Sequence, residues 1–128
     1  MAYVDLDRFI LVFGETEALQ LTDRDNTGSV DEDVFDVASN KASSFIDDFL
    51  RSVYSVPFVN PVPLTIVNIA EALTRCELYS LDPRESVSEA CEKAQEMLEW
   101  LKSGKIRLPG LEPLRPLGGA TNVYLLRG

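Results

Sequence analysis

The sequence predicts an all-α fold, a small bundle of four to five helices with an extended C-terminal arm carrying short strand-like segments. Apolar residues recur close to every 3.6 positions between residues 34 and 53, which is the period of an amphipathic helix. Residues typical of helix starts and stops flank several such stretches. After Gly104, proline and glycine become frequent. We therefore assign residues 1–104 to a helical domain and residues 105–128 to an extended C-terminal arm.

The first two helices are predicted to be short. Asp5 is the expected N-cap of a helix that ends at Gly14 in the left-handed conformation. A second helix is expected over residues 16–20. A loop rich in Asp, Asn, Gly and Ser follows, and Ser29 with Glu32 forms a capping box for the long third helix.

A proline-punctuated connection leads to the fourth helix, which begins at Pro63 or Leu64. This helix is apolar on more than one side, so it is either central in the bundle or buried at a subunit contact. The fifth helix ends at Ser103-Gly104. Its acidic side, which we interpret as a solvated face, carries Glu85, Glu89, Glu92, Glu96 and Glu99.

The arm contains two strand-like segments, residues 105–108 and residues 123–126. A lone strand cannot satisfy its own backbone N–H and C=O groups. It must pair within its own chain, pair with another chain or stay solvated and mobile, and the apolar content argues against the last of these. We expect it to reach another subunit. The predicted interface residues are Lys105, Arg107, Leu108, Arg115, Val123, Tyr124, Leu125, Leu126 and Arg127.

The net charge of −9 argues against a protein that wraps nucleic acid by neutralising phosphates. Up to Leu101 the chain has 7 Lys and Arg against 20 Asp and Glu, a balance of −13, whereas the residues from Lys102 onward have 5 against 1, or +4. A basic tail on an acidic body favours docking onto an acidic neighbour. Because no secretory signal or bilayer-spanning stretch is present, we expect cytoplasmic synthesis and no membrane partner.

Catalysis is disfavoured because the chain contains no histidine, which removes the usual general base and the commonest metal ligand. No defensible carboxylate pair or phosphate-binding glycine motif takes its place, so we predict that the protein is not an enzyme. Cys76 and Cys91 fall on apolar helical stripes. We expect two reduced core residues, with a disulfide as the alternative.

An Asp-rich loop at residues 23–31 raises one metal hypothesis. Its candidate oxygen ligands are Asp23, Asp25, Thr27, Ser29 and Asp31. They alternate as in an EF-hand calcium loop, with Gly28 in register, but the twelfth position is Val34 rather than a bidentate Glu. We therefore expect no cofactor, or weakly bound calcium, and the other interpretation is an Asx turn with a helix cap. A calcium-responsive helical binding module is the alternative function.

Several weak motifs stand in a specific order along residues 1–108. They are residues 21–25 with Gly28 and Asp31, Ala42-Ser43, Ile46-Asp47, Pro63-Leu64, Leu78-Tyr79 and Trp100-Leu101-Lys102. Their order and spacing resemble the head-completion, or head-to-tail adaptor, proteins of Mu-like tailed phages. Where this chain has Asn26 and Thr27, such proteins often carry Gly and Asp, a departure that weakens metal binding further.

The resemblance implies an all-α virion subunit that forms a ring, commonly of twelve copies, below the portal. Such a ring would bind the portal protein and a downstream neck or tail completion protein, and would join the DNA-filled head to the tail. Double-stranded DNA would pass through it without specific binding. The subunit would be assembled in the host cytoplasm and located at the head–tail interface.

Overall fold

The computed structural model describes residues 2–79 and 85–114. Its helices are α1 (Leu6–Phe13), α2 (Glu15–Thr22), α3 (Glu32–Leu50), α4 (Leu64–Leu78) and α5 (Glu85–Ser103). No strand occurs in the described residues, so the predicted all-α fold is confirmed, with five helices. The strand-like segment predicted at residues 105–108 is wrong, because these residues form turns and irregular backbone.

The helix that is apolar on several sides is the central one. α4 packs against both α3 and α5, while α1 and α2 pack on each other and on α3. This arrangement explains the pattern of α4 without a subunit contact. No helix within the described ranges combines the length and the apolar character needed to cross a bilayer.

α1 begins and ends where the sequence predicts. The Asp5 side chain accepts a hydrogen bond from the Arg8 backbone N–H at 2.8 Å, which satisfies a free amide of the first turn. Gly14 ends the helix with φ +96° and ψ 152°, outside the predicted left-handed helical region. Only glycine adopts this conformation readily. The turn lets α2 begin at once, and α2 is longer than the predicted residues 16–20.

Asp31, and not Ser29, caps the long helix. The Asp31 side chain accepts hydrogen bonds from the N–H groups of Asp33 and Val34, at 3.0 and 3.3 Å. The predicted capping box of Ser29 and Glu32 is therefore wrong. A carboxylate at this position also interacts favourably with the helix dipole. Asp31, which directly precedes the helix, therefore takes the capping role that the sequence pattern assigned to Ser29.

Two ion pairs attach the N-terminal helices to α4. The Arg75 guanidinium binds the Glu17 carboxylate through two hydrogen bonds, of 2.6 and 3.0 Å. The hydrogen bond to Glu17 raises the pKa of Arg75. Arg8 pairs with Glu71, which is buried. Together these pairs use two of the seven cations that precede Lys102.

Tyr3 fastens the N-terminal segment to the core. Its backbone N–H donates to the Ser43 hydroxyl at 2.9 Å. Its own hydroxyl donates to the Asp47 carboxylate and accepts from the Phe58 N–H at 2.9 Å. Burial, reinforced by the bond to Asp47, raises the pKa of Tyr3. The segment before α1 is thus joined both to α3 and to the proline-rich connection.

Cys76 and Cys91 form a disulfide that joins α4 to α5. The expectation of two reduced thiols is therefore wrong, and the alternative is the one observed. Because α4 and α5 pack side by side, the two Cα atoms lie 6.0 Å apart, within the range that a disulfide bridges. Each cysteine lies on a predictable helical stripe, but only the packed bundle determines that the two stripes face each other.

Candidate assembly surfaces

The Asp-rich loop between α2 and α3 is held in shape by its own side chains. Asp23 accepts hydrogen bonds from the backbone N–H groups of Thr27 and Gly28, both at 2.7 Å, and from the Thr27 hydroxyl at 2.9 Å. The two N–H groups hold the pKa of Asp23 below its usual value. The buried Thr22 hydroxyl accepts from the Asp31 N–H at 3.0 Å. These bonds fix the loop against the end of α2.

The structure engages three of the five predicted metal ligands with backbone amides. Asp23 and Asp31 direct carboxylate oxygens at N–H groups, and the Thr27 hydroxyl accepts from the Ser29 N–H at 3.3 Å. The other two, Asp25 and Ser29, are exposed. Within residues 2–79 and 85–114, no group of three or more His, Cys, Asp or Glu side chains is placed to hold a metal ion. The loop matches the alternative interpretation, an Asx turn with a helix cap, and calcium binding stays a prediction.

A groove of about 680 Å³ opens between α1, α2 and this loop, and we name it the α1–α2 groove. Its apolar lining residues, all half-buried, are Leu6, Ile10, Leu19 and Val30. Both charged residues in its lining, Glu15 and Glu32, are exposed. Sequence reasoning missed this groove because it depends on how α1, α2 and the loop pack against one another, which no local pattern specifies.

α5 presents an acidic ridge of four exposed residues, Glu89, Glu92, Glu96 and Glu99. Their spacing of three and four residues places them on one side of the helix, along about 15 Å of its axis. None of them forms an ion pair with another described residue. Like charges at this spacing weaken a helix by roughly 0.2–0.5 kcal/mol per pair. Lys93, four residues after Glu89, and Lys102, three residues after Glu99, offset part of this cost.

The first part of the predicted arm folds back onto the bundle. Leu108 is 2% exposed and belongs to the core, and its N–H donates to the Tyr54 hydroxyl at 3.1 Å. The Leu114 N–H donates to the Val53 carbonyl at 2.8 Å. Leu108 is therefore a core residue of its own chain rather than the partner contact that the sequence suggested, because its amide and side chain are both already engaged. Contacts with the helical domain continue as far as Leu114.

The other predicted interface residues fall into two groups. Lys105 and Arg107 are exposed, and the Lys105 Nζ lies 4.6 Å from the centroid of the Trp100 ring. Their charges are accessible to a partner. The rest lie outside the described residues, and they are Arg115, Val123, Tyr124, Leu125, Leu126 and Arg127.

Large apolar side chains are exposed where helical periodicity did not predict them. Leu11 is 79% exposed on α1, and Val12 beside it is also exposed. Sequence reasoning missed them because the continuous apolar run at residues 9–13 does not show which side faces the core. Val59 and Leu64 line a second cleft. Leu11 and Val12 therefore add exposed apolar area to α1 that the contacts within the bundle do not use.

A family model described as bacteriophage Mu, Gp36 matches residues 3–118. The matched range includes all five helices, the Asp-rich loop and the segment that folds back after α5. No curated protein matches the chain.

Proposed function

Since the chain belongs to the bacteriophage Mu Gp36 family, we propose that it is a structural virion subunit of the head-to-tail connector. It forms an adaptor ring that binds the portal protein and joins the DNA-filled head to the neck and tail. It acts at the head–tail interface of the particle and catalyses no reaction. The observation that carries this proposal is the acidic ridge of α5.

The acidic ridge suits a ring through which DNA must pass. Duplex DNA carries one negative charge per about 1.7 Å of its axis, and four unpaired carboxylates on one side of α5 repel it. If α5 of every subunit faces the channel, this repulsion keeps the duplex from adhering to the wall.

The remaining surface suits assembly. Exposed Leu11, Val12 and Phe45 offer apolar area, and Lys105 and Arg107 offer accessible cations. Such residues support contacts with the portal, with neighbouring copies and with a downstream neck or tail completion protein. A ring of about twelve subunits repeats each contact in every copy, so contacts that are weak singly make a lasting joint.

The experiment reverses ridge charges in a phage that carries this gene. Glu92→Lys/Glu96→Lys alters the ridge, whereas Asp36→Lys/Glu112→Lys makes the same change of charge at exposed acids elsewhere. We expect the ridge variant to fill heads but to release its DNA several-fold more slowly on ejection, since lysines in the channel attract phosphates. The control should release DNA at the wild-type rate.

Incorporation of each variant is checked first by quantifying the subunit in purified particles. Wild-type release from particles that contain the ridge variant contradicts a channel-lining role for α5. Equal slowing by both variants contradicts it too, because the effect then follows net charge and not the position of the ridge.

A further inference from the structure

The α1–α2 groove combines an apolar floor with acidic edges. Its volume lies in the range of sites that enclose small ligands. Leu6, Ile10 and Val30 pack against the core, which fixes the floor in position. Glu15 and Glu32 form no ion pair with another described residue. An occupant that buries apolar side chains and carries a cation therefore has the complementary chemistry.

One wall of the groove is formed before anything binds. Gly28 and Ser29 line it, and they belong to the loop that Asp23 holds through three hydrogen bonds. Val30, which follows them, directly precedes the Asp31 cap of α3. A wall fixed in advance loses little conformational entropy on binding. The Asp-rich loop thus has a structural use that requires no metal.

We infer that this groove receives the C-terminal segment of a neighbouring copy, residues 123–127, which read Val-Tyr-Leu-Leu-Arg. Four apolar residues match the floor, and Arg127 matches the acidic edges at Glu15 and Glu32. The inference rests on the proposed ring, for which it supplies the contact between adjacent subunits.

The groove and the origin of the segment lie at opposite ends of α3. Glu32, the first residue of α3, lines the groove, whereas Leu114 is bonded to Val53, just past the other end of the helix. A helix of 19 residues is about 28 Å long. The chain from Leu114 to Val123 spans at most about 32 Å when fully extended. A subunit's own groove is therefore at the limit of reach, and a neighbour can present its groove closer.

This arrangement has the symmetry that a ring needs. The segment and the groove are different surfaces of one chain, so the contact between copies is heterologous. Heterologous contacts repeated head to tail generate a closed ring when the rotation between subunits closes. Each copy then donates one segment and receives one.

The first test mixes two variants of the full chain that each keep one half of the contact. Glu15→Lys/Glu32→Lys impairs the groove, and Tyr124→Ser/Leu126→Ser impairs the segment. In sedimentation velocity, the wild-type chain should associate as its concentration rises, and each variant alone should stay monomeric. The mixture should form a one-to-one dimer, because one intact groove meets one intact segment. A wild-type chain that does not associate, or a mixture that stays monomeric, overturns the inference.

The second test uses a labelled peptide of residues 115–128, with the segment-impaired chain as receptor. Fluorescence anisotropy should show saturable binding that weakens about tenfold when Glu15 and Glu32 are reversed. Reversal of Asp48 and Glu112 in the same receptor should change affinity by less than about twofold. Asp48 lies about 24 Å along α3 from Glu32, and Glu112 is close to Leu114, which is bonded just past that far end of the helix. Charges at such distances are largely screened.

A charge swap completes this second test. A peptide with Arg115→Glu and Arg127→Glu should regain affinity for the groove that carries lysines. Equal binding of the original peptide to all receptors, or no saturable binding, overturns the inference. Neither test involves the portal or DNA, so a negative result here leaves the connector role standing. Failure of the connector role would likewise leave this contact measurable.

Discussion

The Leu108 backbone N–H lies 3.1 Å from the Tyr54 hydroxyl, and both residues are almost wholly buried. This bond joins the segment after α5 to the connection between α3 and α4. A second bond, from Leu114 to Val53, continues the attachment. The folded domain therefore includes residues that composition alone attributes to a free arm.

Truncation tests where the folded domain ends. A chain that stops after Leu114 retains both bonds, so its free energy of unfolding should match that of the full chain. A chain that stops after Arg107 loses the buried Leu108 side chain and should be destabilised by about 2–5 kcal/mol. Urea denaturation followed by circular dichroism measures both. Equal stability of the two truncations would show that Leu108 contributes nothing to the core.

Thr22 and Thr74 allow a buried hydroxyl that is hydrogen-bonded to be compared with one that is not. Both are fully buried, but Thr74 Oγ1 has no hydrogen-bond partner in the described part of the chain. Thr74→Val should therefore leave stability unchanged or raise it by about 1 kcal/mol, since it removes an unsatisfied group.

Thr22→Val should have the opposite effect. The Thr22 hydroxyl donates to the Ala18 carbonyl and accepts from the Asp31 N–H. Removing it leaves the partly buried Asp31 N–H without this partner and should lower stability by about 1 kcal/mol. Thermal unfolding of the two valine variants, measured side by side, tests the contrast. Destabilisation of both to the same degree would contradict it.

Asp23 should make the stability of the loop depend on pH. The Thr27 and Gly28 amides lower the pKa of Asp23 in the folded state. A lowered pKa contributes stability above the unfolded value near 3.8, and this contribution is lost as pH falls through the folded value. Asp23→Asn should therefore be less stable than the wild type at neutral pH, and the difference should shrink in acid. A difference that stays constant from neutral to strongly acidic pH contradicts this account.

The disulfide should stabilise the α4–α5 pair under oxidising conditions. For a 15-residue separation, the loss of loop entropy in the unfolded chain contributes about 3 kcal/mol. Cys76→Ser/Cys91→Ser should lower the free energy of unfolding by about this amount. Reduced wild-type protein should behave like the double variant. No change on reduction, with thiol titration confirming two free thiols, would contradict the contribution.

Local signals in the sequence predicted the helices well. Asp5 and Gly14 mark the two ends of α1. Both ends were predictable because helix capping and glycine conformation depend only on residues within one turn of the chain. The apolar period predicted α3. The apolar character of α4 on several sides predicted either a central helix or a subunit contact, and the packing of α4 on α3 and α5 shows the first. The resemblance to Mu-like phage proteins agrees with the family match over residues 3–118.

Features that depend on distant residues were not predictable in the same way. The pattern of residues 105–108 suggested a strand, but Leu108 fills a core position that the other helices create. Cys76 and Cys91 meet only because α4 packs beside α5. The α1–α2 groove likewise has no signature in any one segment. The sequence analysis assigned the cap of α3 to Ser29, whereas the geometry of the turn places Asp31 there.

The central claim is that this subunit forms a ring under the portal with its acidic ridge facing the DNA. Cryo-electron microscopy of necks purified from intact particles tests it most directly, at a resolution that separates the five helices. We expect a closed ring of this chain bound to the portal, with the Glu89–Glu99 side of α5 lining the channel. Necks whose portal-bound ring is a different protein, or a ring of this chain with α5 on its outer surface, would contradict the account.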